Sequence, residues 1–135
     1  MSHFTRLRTL IRDEEVLTAA LMDVGFQEVE RHSTPQHLYG YQGDIRPETA
    51  EVIIRRQHIG GASNDIGFKK QENETFEAVI SEFDRRAYSQ DWLDRVAQRY
   101  AYHTTCKTIV EEGYVVEDER ILENGEIELV VCEDF

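Results

Sequence analysis

The chain has 135 residues, enough for one domain that buries roughly two thirds of its unfolded surface and too few for two independent cores. Hydrophobic residues make up 40% and charged residues 31%, with only two prolines, which excludes a disordered or low-complexity chain. The formal net charge of -12 sets up a field that opposes phosphate backbones and anionic membrane surfaces.

The charge is unevenly placed. From Glu111 to Phe135 ten acidic residues accompany one base, Arg120, so this segment carries -9 of the total, while the first 110 residues are nearly balanced. Apolar runs such as LVV at 129–131 fall far short of the roughly 18 residues that a membrane span needs. The opening MSHFTRLRTLIRDEE has charges every few residues and no apolar stretch of signal-peptide length, so the expected location is cytoplasmic, or the equivalent interior of an organelle. Cys106 and Cys132 lie in different predicted elements and form no CxxC pair. In a reducing compartment both are expected as semi-buried thiols.

Along the chain, residues 3–10 alternate as a strand. Asp13 then precedes EEVLTAALMDVG, in which Leu17, Ala20, Leu21 and Val24 share one helical face. Asp13 suits the N-cap, Glu14 and Glu15 suit the positive end of the helix dipole, and Gly25 suits the C-terminal stop. FQEVERH at 26–32 alternates as a half-buried strand, and LYGYQGD at 38–44 reads as a short strand or ordered loop. EVIIRR at 51–56 is β-branched at its centre, GGASN at 60–64 is a turn, and DIGFKK into TFEAVI forms a hairpin around 72–74.

The clearest element is a helix from about Gln90 to Glu112, stopped by Gly113, with Trp92, Leu93, Val96, Tyr100, Cys106 and Val110 in one arc. YVVEDERI, an Asn-Gly turn and EIELVVC then make a C-terminal hairpin. Residues 20–32 and 108–120 share a helix end, a glycine, an aromatic ring and a strand. That similarity raises the possibility of two β-α-β-β halves with an extra strand near 64–70 between them. The expected fold is α+β, a single domain with an antiparallel sheet, two helices on one face and a terminal β-hairpin.

Two stretches hold chemistry-bearing residues. In RYAYHTTCK, Arg99 to Lys107, a step of about 100° per residue puts His103 about 20° from Trp92, on the apolar face. An active-site reading makes His103 a general base, Tyr100 or Tyr102 a proton donor and Arg99 an anion clamp. The structural reading makes Tyr100 and His103 packing side chains whose polar tips find backbone or carboxylate partners, with Arg99 pairing an acid, and it carries more weight. Tyr39, Tyr41 and Gln42, between Gly40 and Gly43, could frame a ligand, so Tyr39, Tyr41, Gln42, Arg99, Tyr100 and His103 form a candidate site between the long helix and the 38–44 loop.

The five histidines match neither HExxH nor another zinc spacing, no DxDxDG loop occurs, and GGASND lacks the GK[ST] of a phosphate loop. No metal and no cofactor is therefore implied. A basic patch at Arg55, Arg56, Lys69 and Lys70 leaves nucleic acid as a distant third possibility.

SHFTR at the start, GYQG at 40–43, EVII at 51–54, DIGF at 65–68, DWLDRVAQRYAYHT at 91–104, EEGYVV and NGEIELVV together resemble, in order and spacing, the cyanobacterial and plastid family of hypothetical chloroplast reading frame thirty-five. That family is also called domain of unknown function 1257. The resemblance covers nearly the whole chain and implies no catalytic residues or cofactor. It does imply a neighbourhood of an AAA-type ATPase, and so a role in an assembly. Two features depart from the family pattern: the acidic ending CEDF and a longer GGASN segment.

The expected function is that of a non-catalytic interaction or adaptor protein. Its acidic hairpin, with Glu117, Glu119, Glu126 and Glu128, would meet a basic protein partner. The alternative is a small-ligand-binding protein or enzyme using the site between the long helix and the 38–44 loop.

Overall fold

The computed structural model of the protein describes residues 3–133, the side chain of Glu133 excepted; Asp134 and Phe135 of the acidic ending lie outside it. Strand β1 (Phe4–Arg8) leads to helix α1 (Glu14–Asp23). Asp13 caps it in an extended conformation, the Val16 N–H donating to Asp13 Oδ1 at 3.1 Å. Gly25 stops it at φ +113°, with the Gly25 N–H on the Met22 carbonyl and the Phe26 N–H on the Leu21 carbonyl. This paired closure of a helix end is the Schellman arrangement, and a left-handed glycine permits it.

Strands β2 (Glu30–Tyr39), β3 (Ile45–Ile54), β4 (Ile66–Lys70) and β5 (Phe76–Ser81) follow. With β1 they make a fully antiparallel sheet in the order β1-β5-β4-β3-β2. Alternate rows across the sheet take opposite faces. Leu7, Ala78, Phe68 and Val52 lie in one row, against the cluster formed by Leu17, Ala20 and Leu21 of α1 and Trp92, Leu93 and Val96 of α2 (Gln90–Glu111). The adjacent row, Val79, Gly67 and Ile53, belongs to the opposite face, where Leu38, Ala50 and Phe4 join it. Both helices therefore cover one face, as expected.

Phe26–Val29 form no strand, because Phe26 turns inward after the helix stop and packs on Tyr88 and Trp92 at ring-centroid distances of 5.8 and 6.2 Å. Strand β2 instead runs on through Ser33, Thr34 and Pro35, joining the stretches at 26–32 and 38–44 that read as separate elements. It is an edge strand, and its register with β3 shifts between Arg31 and Gln36. A proline without an N–H is tolerated at such a bulge. Of LYGYQGD, Leu38 and Tyr39 end β2 and Gly40–Asp44 turn back, the Gly40 N–H reaching the Asp44 carbonyl at 2.8 Å. Strand β3 begins at Ile45, six residues ahead of the expected Glu51.

Strands β6 (Tyr114–Ile121) and β7 (Ile127–Glu133) complete the expected order, β1-α1-β2-β3, then β4, then β5-α2-β6-β7. The last pair nevertheless forms its own two-stranded sheet. Helix length explains this. At 22 residues α2 extends about 33 Å, against about 15 Å for the 10-residue α1, so its second half carries the hairpin past the sheet. Hence Val110, expected in the buried arc, is 62% exposed, and only Trp92, Leu93 and Val96 of the helix are buried.

Gly67 tests the closure of the second face. A Cβ there would sit 2.7 Å from Ala50 Cβ and 3.0 Å from Leu38 Cδ2. Gly67→Ala is expected to cost about 1–3 kcal/mol in urea unfolding, the usual range for overpacking. A variant within about 0.5 kcal/mol of the parent would show that the β2–β3 hairpin does not press on β4.

Candidate functional site

The RYAYH stretch faces α1. The Asp23 carboxylate at the end of α1 accepts from Arg99 Nε at 2.9 Å and lies 2.6 Å from His103 Nε2. Tyr100 packs against the core, and its hydroxyl accepts the backbone N–H groups of Arg12 and Asp13 at 3.1 and 2.9 Å. Lys107 reaches Asp13 Oδ2 at 3.2 Å. The acid that pairs Arg99 thus comes from α1, and His103 is half-buried at the helix-helix edge instead of sitting on the core face of α2. Arg99 also lies over the Tyr102 ring at 4.2 Å, and the Tyr102 hydroxyl donates to Glu119 of β6. That hydrogen bond, with partial burial and the nearby Cys106, pushes the phenol's pKa well above its ordinary value, so Tyr102 stays a donor.

The 38–44 residues have other partners. The Tyr39 N–H donates to Asp65 Oδ2 at 2.7 Å and the Tyr41 N–H to Asn64 Oδ1 at 2.8 Å. The Tyr39 ring lies under the Arg55 guanidinium at 5.1 Å. Gln42 is exposed in the turn. Arg99 and His103 thus meet at Asp23, Tyr39 and Tyr41 meet at Asn64 and Asp65, and the two sets share none of these partners. The structure does not gather the six expected residues into one site.

A cleft of about 710 Å³ lies instead between the segment before β2 and the end of β3, lined among others by Glu28, Val29, Glu30, Tyr39, Arg55, Arg56, His58 and Asp65. Asp65 is fully enclosed and accepts from the Tyr39 N–H, the Arg56 N–H at 2.7 Å and Arg55 Nη1 at 2.8 Å. Arg55 Nε donates to Glu30 at 2.9 Å, and Glu30 also meets His32 at 2.8 Å. The Arg55 hydrogen bond outweighs desolvation and, with His32, holds the Glu30 carboxyl below its ordinary range. Arg56 donates to the carbonyls of Ser63, Tyr41 and Gly61. Beside Asp65, Asn64 is locked by Ser81 and Asp84, all three buried. Asn64, Asp65, Asp84 and Asp23 were invisible in the sequence as partners. DIGF and GGASN announced only a strand and a turn.

Of the expected basic patch, Arg55 and Arg56 serve this cleft, while Lys69 Nζ donates to Thr49 at 2.9 Å. Among the described residues no three His, Cys, Asp or Glu side chains are placed to share a metal ion, and no helix is long and apolar enough to cross a membrane.

Fold and contacts define an α+β protein with one covered sheet, a helix pair clamped at Asp23 and a detached acidic hairpin. The chain belongs to the family described as protein of unknown function DUF1257, whose model matches residues 20–130. It is 27% identical to the uncharacterized protein ycf35 of Cyanophora paradoxa over 132 residues, covering 97% of this chain and 96% of that one. It is 26% identical to the proteins of that name from Pyropia yezoensis and Guillardia theta, with the same coverage. No solved structure gives a significant match.

Partial burial disfavours the charged Asp23, yet the Arg99 and His103 hydrogen bonds prevail and lower its pKa from the ordinary 3.8. A carboxyl depressed in the folded state stabilises above its unfolded pKa, and that contribution disappears as pH falls through the folded value. Asp23→Asn should lose about 0.5–1 kcal/mol at neutral pH, the range for such half-exposed pairs. Urea midpoints measured from pH 7 downward should show the difference from the parent closing below about pH 4. A difference that does not change with pH would refute this role for Asp23.

Proposed function

We propose that the chain is a non-catalytic interaction or adaptor protein and that the β6–β7 hairpin is its docking element for a basic protein surface within a larger assembly. The observation that carries this reading is the state of the hairpin's side chains. Val115, Ile121, Leu122 and Val131 are exposed, Ile121 at 77%, among the acids Glu117, Asp118, Glu126 and Glu128. Two-stranded sheets are marginal in water without a covering layer, and α2 covers only part of this one. A groove of about 360 Å³, lined by Gln98, Ala101, Tyr102, Thr105, Ile127 and Leu129, separates them.

Apolar groups ringed by one sign of charge suit an interface with a dry centre and a steered approach. The register divides the four expected acids. Glu128 pairs with Arg120 on the face away from α2, Glu119 is engaged by Tyr102, Glu126 lines the groove, and Glu117 occupies the irregularity between Val116 and Asp118. Among the described residues Cys106 and Cys132 form no disulfide, which suits a reducing interior, the cytoplasm or the lumen of an organelle.

The test is cross-linking in native extract to identify the partner, followed by calorimetry with the purified pair. Charge-steered binding should weaken about tenfold or more between about 50 and 300 mM salt. The combined Glu117→Gln, Asp118→Asn and Glu128→Gln variant should weaken it at least about fivefold with the helical signal unchanged. Binding that ignores both salt and these substitutions removes the hairpin from the interface.

A further inference from the structure

The cleft between β2 and β3 has an uneven supply of hydrogen-bonding groups. Its carboxylates Asp65, enclosed, and Glu30, partly exposed, are both engaged. Asp65 accepts on both oxygens, and Glu30 meets His32 with one oxygen and Arg55 with the other. Its arginines are engaged on one side only. Arg55 uses Nε on Glu30 and Nη1 on Asp65 and the His37 carbonyl. Arg56 uses Nε on Ser63 and Nη2 on Tyr41 and Gly61. Among the described residues Arg55 Nη2 and Arg56 Nη1 have no partner, and neither is a buried atom. Each amino group carries two N–H donors and no acceptor, so two anchored arginines lining one cleft leave four donors over.

Further features bear on what these donors would meet. The Arg55 plane is fixed against the Tyr39 ring at 5.1 Å and by its three hydrogen bonds, so little freedom is lost on binding. His58 lines the same cleft, 3.1 Å from the exposed Glu28. Val29 and Tyr39 supply an apolar wall, and a volume of about 710 Å³ falls in the range of small-molecule sites.

We propose that this cleft binds a small phosphate monoester, its phosphoryl oxygens held by Arg55 Nη2 and Arg56 Nη1 and its organic part lying along Tyr39 and Val29. Guanidinium forks match phosphate oxygens in geometry and charge. Glu30 and Asp65 offset the two arginines and Glu28 adds a third carboxylate beside His58, so recognition rests on directed hydrogen bonds and not on net field, and affinity for bare phosphate is modest. Such a site is independent of hairpin docking; of the six residues expected at a ligand site it uses Tyr39, and not Arg99, Tyr100 or His103.

The experiment follows the arginine Nε–H signals of the full chain by NMR, titrating inorganic phosphate, then glycerol phosphate, with acetate and chloride at matched ionic strength. Saturable shifts of the Arg55 and Arg56 signals are expected with phosphate at about 10 mM or below, and tighter binding with glycerol phosphate. Arg55→Lys, which keeps the charge and loses the fork, should weaken phosphate at least about fivefold. Gln57→Trp changes an exposed residue of the cleft and should weaken glycerol phosphate more than phosphate, so the proposal stays testable if the arginine variant unfolds. Linear, unsaturable shifts, or acetate matching phosphate, overturn the proposal. So does Gln57→Trp leaving glycerol phosphate binding unchanged.

Discussion

The Asp65 carboxylate is the constraint on which the sheet's open end depends. It has no contact with solvent, and a carboxylate in that position costs several kcal/mol unless its charge and lone pairs are matched. Its partners come from two segments, the Tyr39 N–H at the end of β2, and Arg55 and the Arg56 N–H just after β3, and both converge on a third, the start of β4. Withdrawing any one would leave a buried charge under-paired, so the three segments hold one another in place. Next to it Asn64, Ser81 and Asp84 do the same between β4 and the turn after β5. The 59–64 loop has no regular structure, yet Arg56 fixes it through two carbonyls, at Gly61 and Ser63. Arg55 is thus ordered by enclosing one acid, and Arg56 by the loop carbonyls it gathers.

A second chain of contacts runs the other way. Asp23 joins α1 to Arg99 and His103, Arg99 stacks on Tyr102, Tyr102 donates to Glu119, and Gln98 Nε2 reaches the Gly125 carbonyl at 3.0 Å. Because α1 is buried on the sheet through Leu17, Ala20 and Leu21, this chain ties to the core a hairpin that, among the described residues, contributes nothing to either core cluster. The residues that read as a catalytic cluster act as a strut between core and hairpin.

Local chemistry was legible and long-range pairing was not. Asp13, Gly25 and Gly113 announced their caps because a cap is decided within a few residues, and the bounds of α2 followed to within a residue of the reading. The stretches at 26–32 and 38–44 read as separate elements, yet β2 joins them through Pro35, because a proline breaks a central strand but not a bulged edge, and edge position is a property of the sheet. Cys106 and Val110 continue the apolar arc of α2, but periodicity describes the helix and cannot report where the neighbouring sheet ends. The wheel likewise put His103 inward, where a carboxylate 80 residues away draws it to the edge. Asn64 ends a Gly-Ser-Asn string with the local marks of a solvated turn, and distant segments, the end of β2, the chain just after β3 and the turn after β5, enclose it and Asp65.

The hairpin's charge has no such internal answer. Among the described residues its acids form ion pairs with Arg120 alone, which meets Asp118 at 3.5 Å and Glu128 at 3.9 Å on an exposed surface. Arg55 is held at the cleft by Glu30 and Asp65, and Arg99 at the helix pair by Asp23. Carboxylates crowded on two short strands repel one another and weaken the element that bears them, and the exposed Val115, Ile121 and Val131 add nothing to its stability in water. Isolated stability would favour fewer acids and a buried apolar face. A basic, partly apolar surface would relieve both at once, and this shared remedy is the physical ground for reading the hairpin as half of an interface.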